Sequence, residues 1–251
     1  CQRLRTAVQH AKRQPTRVLV LLGGEDFFSN GIHLNQIEAS AHRPDESAAD
    51  ASWNNINAMN DLVLEVLTAT DHLTISALRG NAGAGGAFLA LAADKIWAHE
   101  NVLLNPHYKN MGNLYGSEYW TYLLPQRVGM DAARALMQNR HPLAASDAVR
   151  MGLIDAAFGH DAQEFSTEAG LRAAAMAQAD DFDKQLAAKR IRREQDEVIK
   201  PLQAYRDEEL AKMYRNFYGF DPSYHVARYH FVHKIPHAWT PRHLAIHRNN
   251  F

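Results

Sequence analysis

Cysteine is almost missing: Cys1 is the only one in 251 residues. That excludes an internal disulfide framework and any zinc or iron–sulfur site built on several thiolates, and it fits a reducing cytoplasm. An excess of either charge is missing too. Twenty-seven Lys and Arg stand against 28 Asp and Glu, a formal net charge of -1, so no global basic field points to nucleic acid or to an anionic membrane. No apolar run approaches the roughly 18 residues of a membrane span, and the opening CQRLRTAVQHAKRQ reads as a basic helix without the apolar core of a signal peptide. Internal repeats and low-complexity linkers are absent. The expectation is a cytoplasmic piece of a longer chain that binds its ligand locally.

What is present has an alternating layout. Residues 16–24, TRVLVLLGG, form a continuously apolar, β-branched run that ends in two glycines, the pattern of a strand buried on both faces. A polar, bend-rich segment follows. Residues 52–70 then place Ile56, Met59, Leu62, Val63, Val66 and Leu67 at helical spacing, and residues 72–79 give a second strand. KIWAH is a third strand, followed by a loop rich in Asn, Gly and Tyr. Helices resume at residues 118–129, 130–139 and 146–153, the last with Ser146 as N-cap and Gly152 as a left-handed C-cap. Past Phe158 the chain is nearly all helix former with interspersed charges. Pro201 breaks that run and its apolar positions hold no heptad, so packed helices are expected rather than a coiled coil.

Between the second and third strands lies GNAGAGGAFLALAAD, residues 80–94, with four glycines in seven residues where a helix begins. Glycines there permit a tight turn and close helix-to-strand packing. They also leave backbone N–H groups bare at a positive helix end, where an oxygen that develops negative charge is favoured. No Lys-Ser or Lys-Thr follows to meet phosphates and magnesium, so a phosphate loop is not expected, and a dinucleotide fingerprint fits poorly.

Three segments in order, FFSNGIHL, the glycine stretch about 50 residues later, and PLAASDAVRMGLID, resemble the enoyl-CoA hydratase/isomerase (crotonase) family from about Thr16 to Phe158. The resemblance implies a crotonase-like α/β fold of stacked βαβ units, with residues 1–158 as the coenzyme A-binding domain and 159–251 as a helical carboxy-terminal extension packed on it. It also implies that the backbone amides of Ile32 and Gly85 form an oxyanion hole for a thioester carbonyl, each such donor typically worth ~2.7–4 kcal/mol at the transition state. Asn30, Ile32 and Gly85 are the implied coenzyme A contacts.

The departures redirect the chemistry. Hydratases of this family carry two glutamates that share a water, a base for the nucleophile and an acid for the carbanion. The matching positions here are Phe88 and Tyr108, and His33 stands where the family has Asp. Ordinary hydration is therefore not expected. The run NPHYKNMGNLYGSEYWTYLLPQRVG, with FSNGIHLNQIE before it and KIPHAWTPRHLAIHR at the end, is similar to one branch of the family: the carboxy-terminal half of a nickel–iron hydrogenase maturation factor. That similarity implies loss of carbon monoxide from formyl-CoA, a lyase-type step with coenzyme A as the formyl carrier. It also implies an amino-terminal, formyl-tetrahydrofolate-using formyltransferase-like domain, and hydrogenase maturation proteins as partners. Tyr108 and Glu118, ten residues apart, are the implied proton-handling pair, with Glu118 as base and Tyr108 as donor or acid, roles that can exchange. Read without the resemblance, Glu118 is an acidic first-turn residue after an N-cap at Ser117. Two alternatives stay open: another acyl-CoA hydrolase or isomerase, and a non-catalytic coenzyme A-binding module that docks its neighbouring domain.

Six of the 14 histidines lie in the last 27 residues, and His230, His233 and His237 would share a helix face. Pro236 disfavours that helix and no carboxylate lies among them, so no metal site is expected. Tyr115, Tyr119, Trp120 and Tyr122 read as core, and His33 and His107 as ordinary hydrogen-bonded loop residues.

Overall fold

A computed structural model describes residues 1–236. The elements run α1 (Gln2–Ala11), β1 (Val18–Leu22), β2 (Phe27–Ser29), α2 (Leu34–Ser40), α3 (Ala48–Leu67), β3 (Leu73–Leu78), β4 (Asn81–Gly83), α4 (Gly85–Leu91), β5 (Lys95–Ala98) and β6 (Leu103–Asn105). They continue as α5 (Trp120–Val128), α6 (Met130–Gln138), β7 (Leu143–Ala144), α7 (Ala145–Arg150), β8 (Ala156–Ala157), α8 (Ala162–Gln178), α9 (Phe182–Ile199), α10 (Leu202–Tyr218) and α11 (Ser223–Val232).

Two four-stranded sheets carry the α/β part. The first, ordered β1-β3-β5-β8, is parallel throughout, with Val18 opposite Leu73, Ile75 opposite Lys95 and Trp97 opposite Ala156. β3 is buried along its whole length. Its alternate residues Ile75 and Ala77, with Trp97 of β5, pack under Phe165, Ala169 and Ala173 of α8, while Leu78 joins the main core on the other side. β1 does not have the two covered faces that its apolar run predicts. It is the edge strand, and Val20 and Leu22 are 41% and 51% exposed, because only β3 pairs with it.

The second sheet, β2-β4-β6-β7, has strands of two or three residues that no periodicity in the sequence announces. Its register sets Ser29 beside Ala82 and Gly83 beside Asn105, so the carboxyl ends of β2, β4 and β6 lie in a row. α3 starts four residues before the expected span, at a capping box in which Asp50 N–H donates to Ser47 Oγ at 3.0 Å and Ser47 N–H to Asp50 Oδ2 at 3.3 Å. Its six expected core residues are all buried.

Two expected caps divide. Gly152 has φ +79°, as a left-handed terminus requires, but Ser146 lies inside α7 and Ala144 precedes the helix without a side-chain cap. Pro201 separates α9 from α10, as expected. The carboxy-terminal helices are not an outer layer alone: Leu202, Leu210, Met213, Phe217 and Tyr224 belong to the same core cluster as Phe88 and Tyr108.

Candidate active site

The glycine stretch serves both packing and the site, at different positions. A Cβ on Gly86 would fall 1.9 Å from the Ser29 carbonyl oxygen, so only glycine lets α4 lie this close to β2. A Cβ on Gly85 would fall 2.6 Å from Oε1 of Glu118, which puts the Glu118 carboxyl against the first turn of α4. Ala84, just before the helix, holds φ +47° and ψ -129°, a region L-residues rarely enter, and its N–H is anchored on the Asn105 carbonyl at 2.9 Å. The loop after β2 closes on the same spot: a Cβ on Gly31 would sit 3.2 Å from the Gly85 nitrogen. Among the described residues, neither the Ile32 nor the Gly85 amide donates to a protein acceptor. The Ile32 side chain turns away, packed beside the cluster of Ile37, Ala48 and Ala51, and exposed Asn30 lies against Gly83.

Tyr108 and Glu118 meet. The Tyr108 hydroxyl donates to Oε2 of Glu118, and both side chains are buried, Glu118 to 1% exposure. Phe88 stacks on the Tyr108 ring, centroids 5.7 Å apart and planes 18° off parallel. Phe88 and Tyr108, the positions that the family resemblance matches to hydratase glutamates, are a stacked ring pair beside the buried carboxyl. Burial pushes Glu118 up to about 8, against the lowering effect of the Tyr108 hydrogen bond and with a further push from the charge of Glu209. Burial, then the neighbouring carboxyl, drive the Tyr108 hydroxyl well above its ordinary range.

Glu118 is not a first-turn helix residue. It has φ +62° and Tyr119 φ +60°, two successive left-handed residues, and α5 begins only at Trp120. Ser117 caps nothing. Its hydroxyl donates to Asn60 Oδ1 at 3.0 Å, the same oxygen that takes the Glu118 N–H at 3.0 Å. The carboxy-terminal helix α10 holds the other side: Asn216 Oδ1 accepts from Tyr115 N–H at 3.0 Å, Met213 Sδ from Gly116 N–H at 3.2 Å, and Glu209 from the Tyr119 and Thr121 amides at 2.9 and 2.8 Å. Asn60 and Glu209 escape the sequence reading. For Asn60 there was a signal, a polar residue inside the apolar line of α3; Glu209 looks like any charge in EELAK.

The remaining expected residues take ordinary places. His33 caps α2, with Nδ1 accepting from Gln36 N–H at 3.3 Å. His230 lies in α11 and His233 just past its end, while His237, the third member of the face that Pro236 is expected to break, lies with His243 and His247 outside the described residues. An apolar cavity of about 550 Å³ between α1, β1 and α3 reaches the site at Ser29 and Gly31, but neither Tyr108 nor Glu118 lines it.

One parallel and one mixed sheet, the loop after β2 closing on the first turn of α4, and a buried acid beside them are the frame of a known fold: the chain belongs to the enoyl-CoA hydratase/isomerase family, whose sequence profile matches residues 2–241. Within that family it is similar to the hydrogenase maturation factor HoxX of Bradyrhizobium diazoefficiens, 54% identical over 250 residues that cover 99% of this chain and 43% of that protein. The crystal structure of HypX from Aquifex aeolicus in complex with tetrahydrofolic acid matches with a TM-score of 0.91 at 49% identity, over 99% of this chain and 43% of that one. An enoyl-CoA hydratase from Bacillus halodurans, with a TM-score of 0.76 and 19% identity over 91% of this chain and 87% of that one, has the same fold. The chain spans less than half the length of the two maturation factors.

Proposed function

We propose that this chain releases carbon monoxide from formyl-CoA, leaving free coenzyme A, and that the carbon monoxide serves nickel–iron hydrogenase maturation in the cytoplasm. The observation that carries the reading is the pair Tyr108–Glu118, buried against Gly85 behind Phe88, in a site that lacks both hydratase glutamates. Base and acid are present, but no pair is arranged to hold a water for addition to an alkene.

The step balances without a redox partner. Ionised Glu118 takes the formyl hydrogen as a proton, the C–H electron pair becomes the carbon lone pair of carbon monoxide, and the C–S bond breaks with its electrons on sulfur. The thiolate then receives the proton through Tyr108. Polarisation of the carbonyl by the Ile32 and Gly85 amides assists the attack on the formyl hydrogen. The amides need no particular side chain at residue 32, so Ile serves there. Asn30 at the row of strand ends and the cavity reaching Gly31 support an approach for the pantetheine arm. The formyl group would come from a formyl-tetrahydrofolate-using domain in the rest of a longer chain, in keeping with the greater length of the maturation factors.

The test supplies formyl-CoA and follows carbon monoxide with haemoglobin as the trap. Glu118→Gln and Tyr108→Phe each lower the rate by roughly a hundredfold or more, and Gly85→Ala does the same because its Cβ displaces the carboxyl. Unchanged rates in the first two variants would remove the pair from the mechanism.

A further inference from the structure

We propose that Glu209 is a positioning residue for Glu118: its carboxylate fixes the main chain at Tyr119 and Thr121 and so holds the Glu118 carboxyl against Gly85. The inference builds on Glu118 being the reacting acid, yet it concerns a side chain that touches neither Glu118 nor the proposed substrate position.

The arrangement is costly and local. Glu209 is 0% exposed, and among the described residues it has no salt-bridge partner. Its charge is instead met by three donors on one short stretch: Tyr119 N–H at 2.9 Å on Oε2, and Thr121 N–H at 2.8 Å and Thr121 Oγ at 2.5 Å on Oε1. These are the first amides of α5, where the helix dipole favours an anion. Tyr119 occupies the N-cap position and supplies no side-chain cap. A residue 90 positions further along the chain supplies it instead.

The place of this cap gives it a role beyond ending a helix. Residues 118 and 119 both hold left-handed φ, a conformation that persists in L-residues only where the surroundings over-determine it. Two side chains do so here, Asn60 on the Glu118 amide and Glu209 on the next one. Without the second, the dipeptide relaxes toward ordinary φ values and the carboxyl swings off Gly85. Electrostatics adds to this. Tyr108 and Glu209 are the titratable groups that act on Glu118; around Glu209 stand Tyr115, Tyr119, Lys200 at the end of α9, and Glu208 and Arg206 on its own helix. Burial lifts Glu209 to about 7, so near neutral pH it carries charge for part of the time and in that state makes ionisation of Glu118 harder.

The test needs no substrate, so it stands apart from the formyl-CoA reading. Difference infrared spectroscopy on the full chain follows the protonated carboxyl of Glu118, identified by its loss in Glu118→Gln, as pH rises. The midpoint in Glu209→Gln falls by roughly one pH unit, while the exposed neighbour variant Glu208→Gln leaves it in place. Hydrogen exchange at the Tyr119 and Thr121 amides speeds by roughly tenfold. Should Glu209→Gln fold poorly, Thr121→Val removes one donor from the same carboxylate and gives the same directions. A Glu118 midpoint equal to that of the parent in the folded variant, with unchanged exchange at residue 119, overturns the proposal. Loss of stability with those readouts unmoved leaves Glu209 a helix cap only and also overturns it.

Discussion

Glu118 joins an unusual backbone, φ +62°, to an unusual acidity, about 8, the second driven by its burial. The acidity has a sign that a melting experiment reads. A carboxyl raised in the folded chain binds its proton more tightly there than in the unfolded chain, whose value is near 4.5. Its contribution to stability is therefore present in full below the unfolded value and is lost as pH climbs through about 8. Glu118→Gln, which cannot ionise, is expected to melt a few degrees above the parent at about pH 9, with the difference shrinking toward about pH 5. Scanning calorimetry across that range checks it. A parent and variant whose melting points run parallel would show that Glu118 is ionised at neutral pH. Tyr108 and Glu118 were legible in the sequence because family motifs bracket them and their ten-residue spacing is read directly. Their hydrogen bond was not: the glycines and Asn113 between them announce bends, but no residue type announces the positive φ at Glu118 and Tyr119 that accompanies the meeting.

Among the elements, long apolar segments were legible and short ones were not. β1, β3, β5 and α3 carry enough side chains to show their period; β2, β4, β6 and β7 carry two or three residues each and exist only because neighbours pair with them. Burial of β1 was overestimated for a related reason: composition shows that a strand is apolar but not that it stands at the edge. The clasp between α2 and α11 belongs to this scale as well. Glu38 and Arg228 are each 5% exposed and meet at 2.7 Å, so α11 pins the helix that follows the Ile32 loop. Burial alone would raise the Glu38 carboxyl, yet the hydrogen bond and charge of Arg228, with His233 behind it, hold it below its ordinary range. Arg228→Ala leaves that carboxylate buried with, among the described residues, only His233, 3.4 Å away, beside it, and is expected to cost about 3 kcal/mol in urea unfolding. Replacing both partners together by Leu and Met should cost clearly less. A single variant as mild as the double would mean that water reaches Glu38.

Across the whole molecule, the helices beyond residue 158 complete the α/β part. α8 covers one face of the first sheet, and α10 contributes Leu210, Met213 and Phe217 to the main core. α9 adds Lys189, whose buried ammonium donates to the Ala69 and His72 carbonyls and to Asp94, each within 2.8 Å. A chain cut after residue 158 is therefore expected to lose near-ultraviolet circular dichroism and to bind hydrophobic dyes. A native-like spectrum from the cut chain would instead establish residues 1–158 as a self-sufficient domain. The sequence showed that helices follow the α/β part; it did not show that they reach into the same core, because contacts between residues so far apart leave no local pattern.

Asn216, Met213 and Glu209 grip residues 115, 116, 119 and 121 by their amides, with one side chain, the Thr121 hydroxyl, added, so the loop is gauged mainly by length. Inserting or deleting a single residue between Tyr115 and Thr121 would slip rungs of this ladder against α10, and Glu118 would lose its station together with the start of α5.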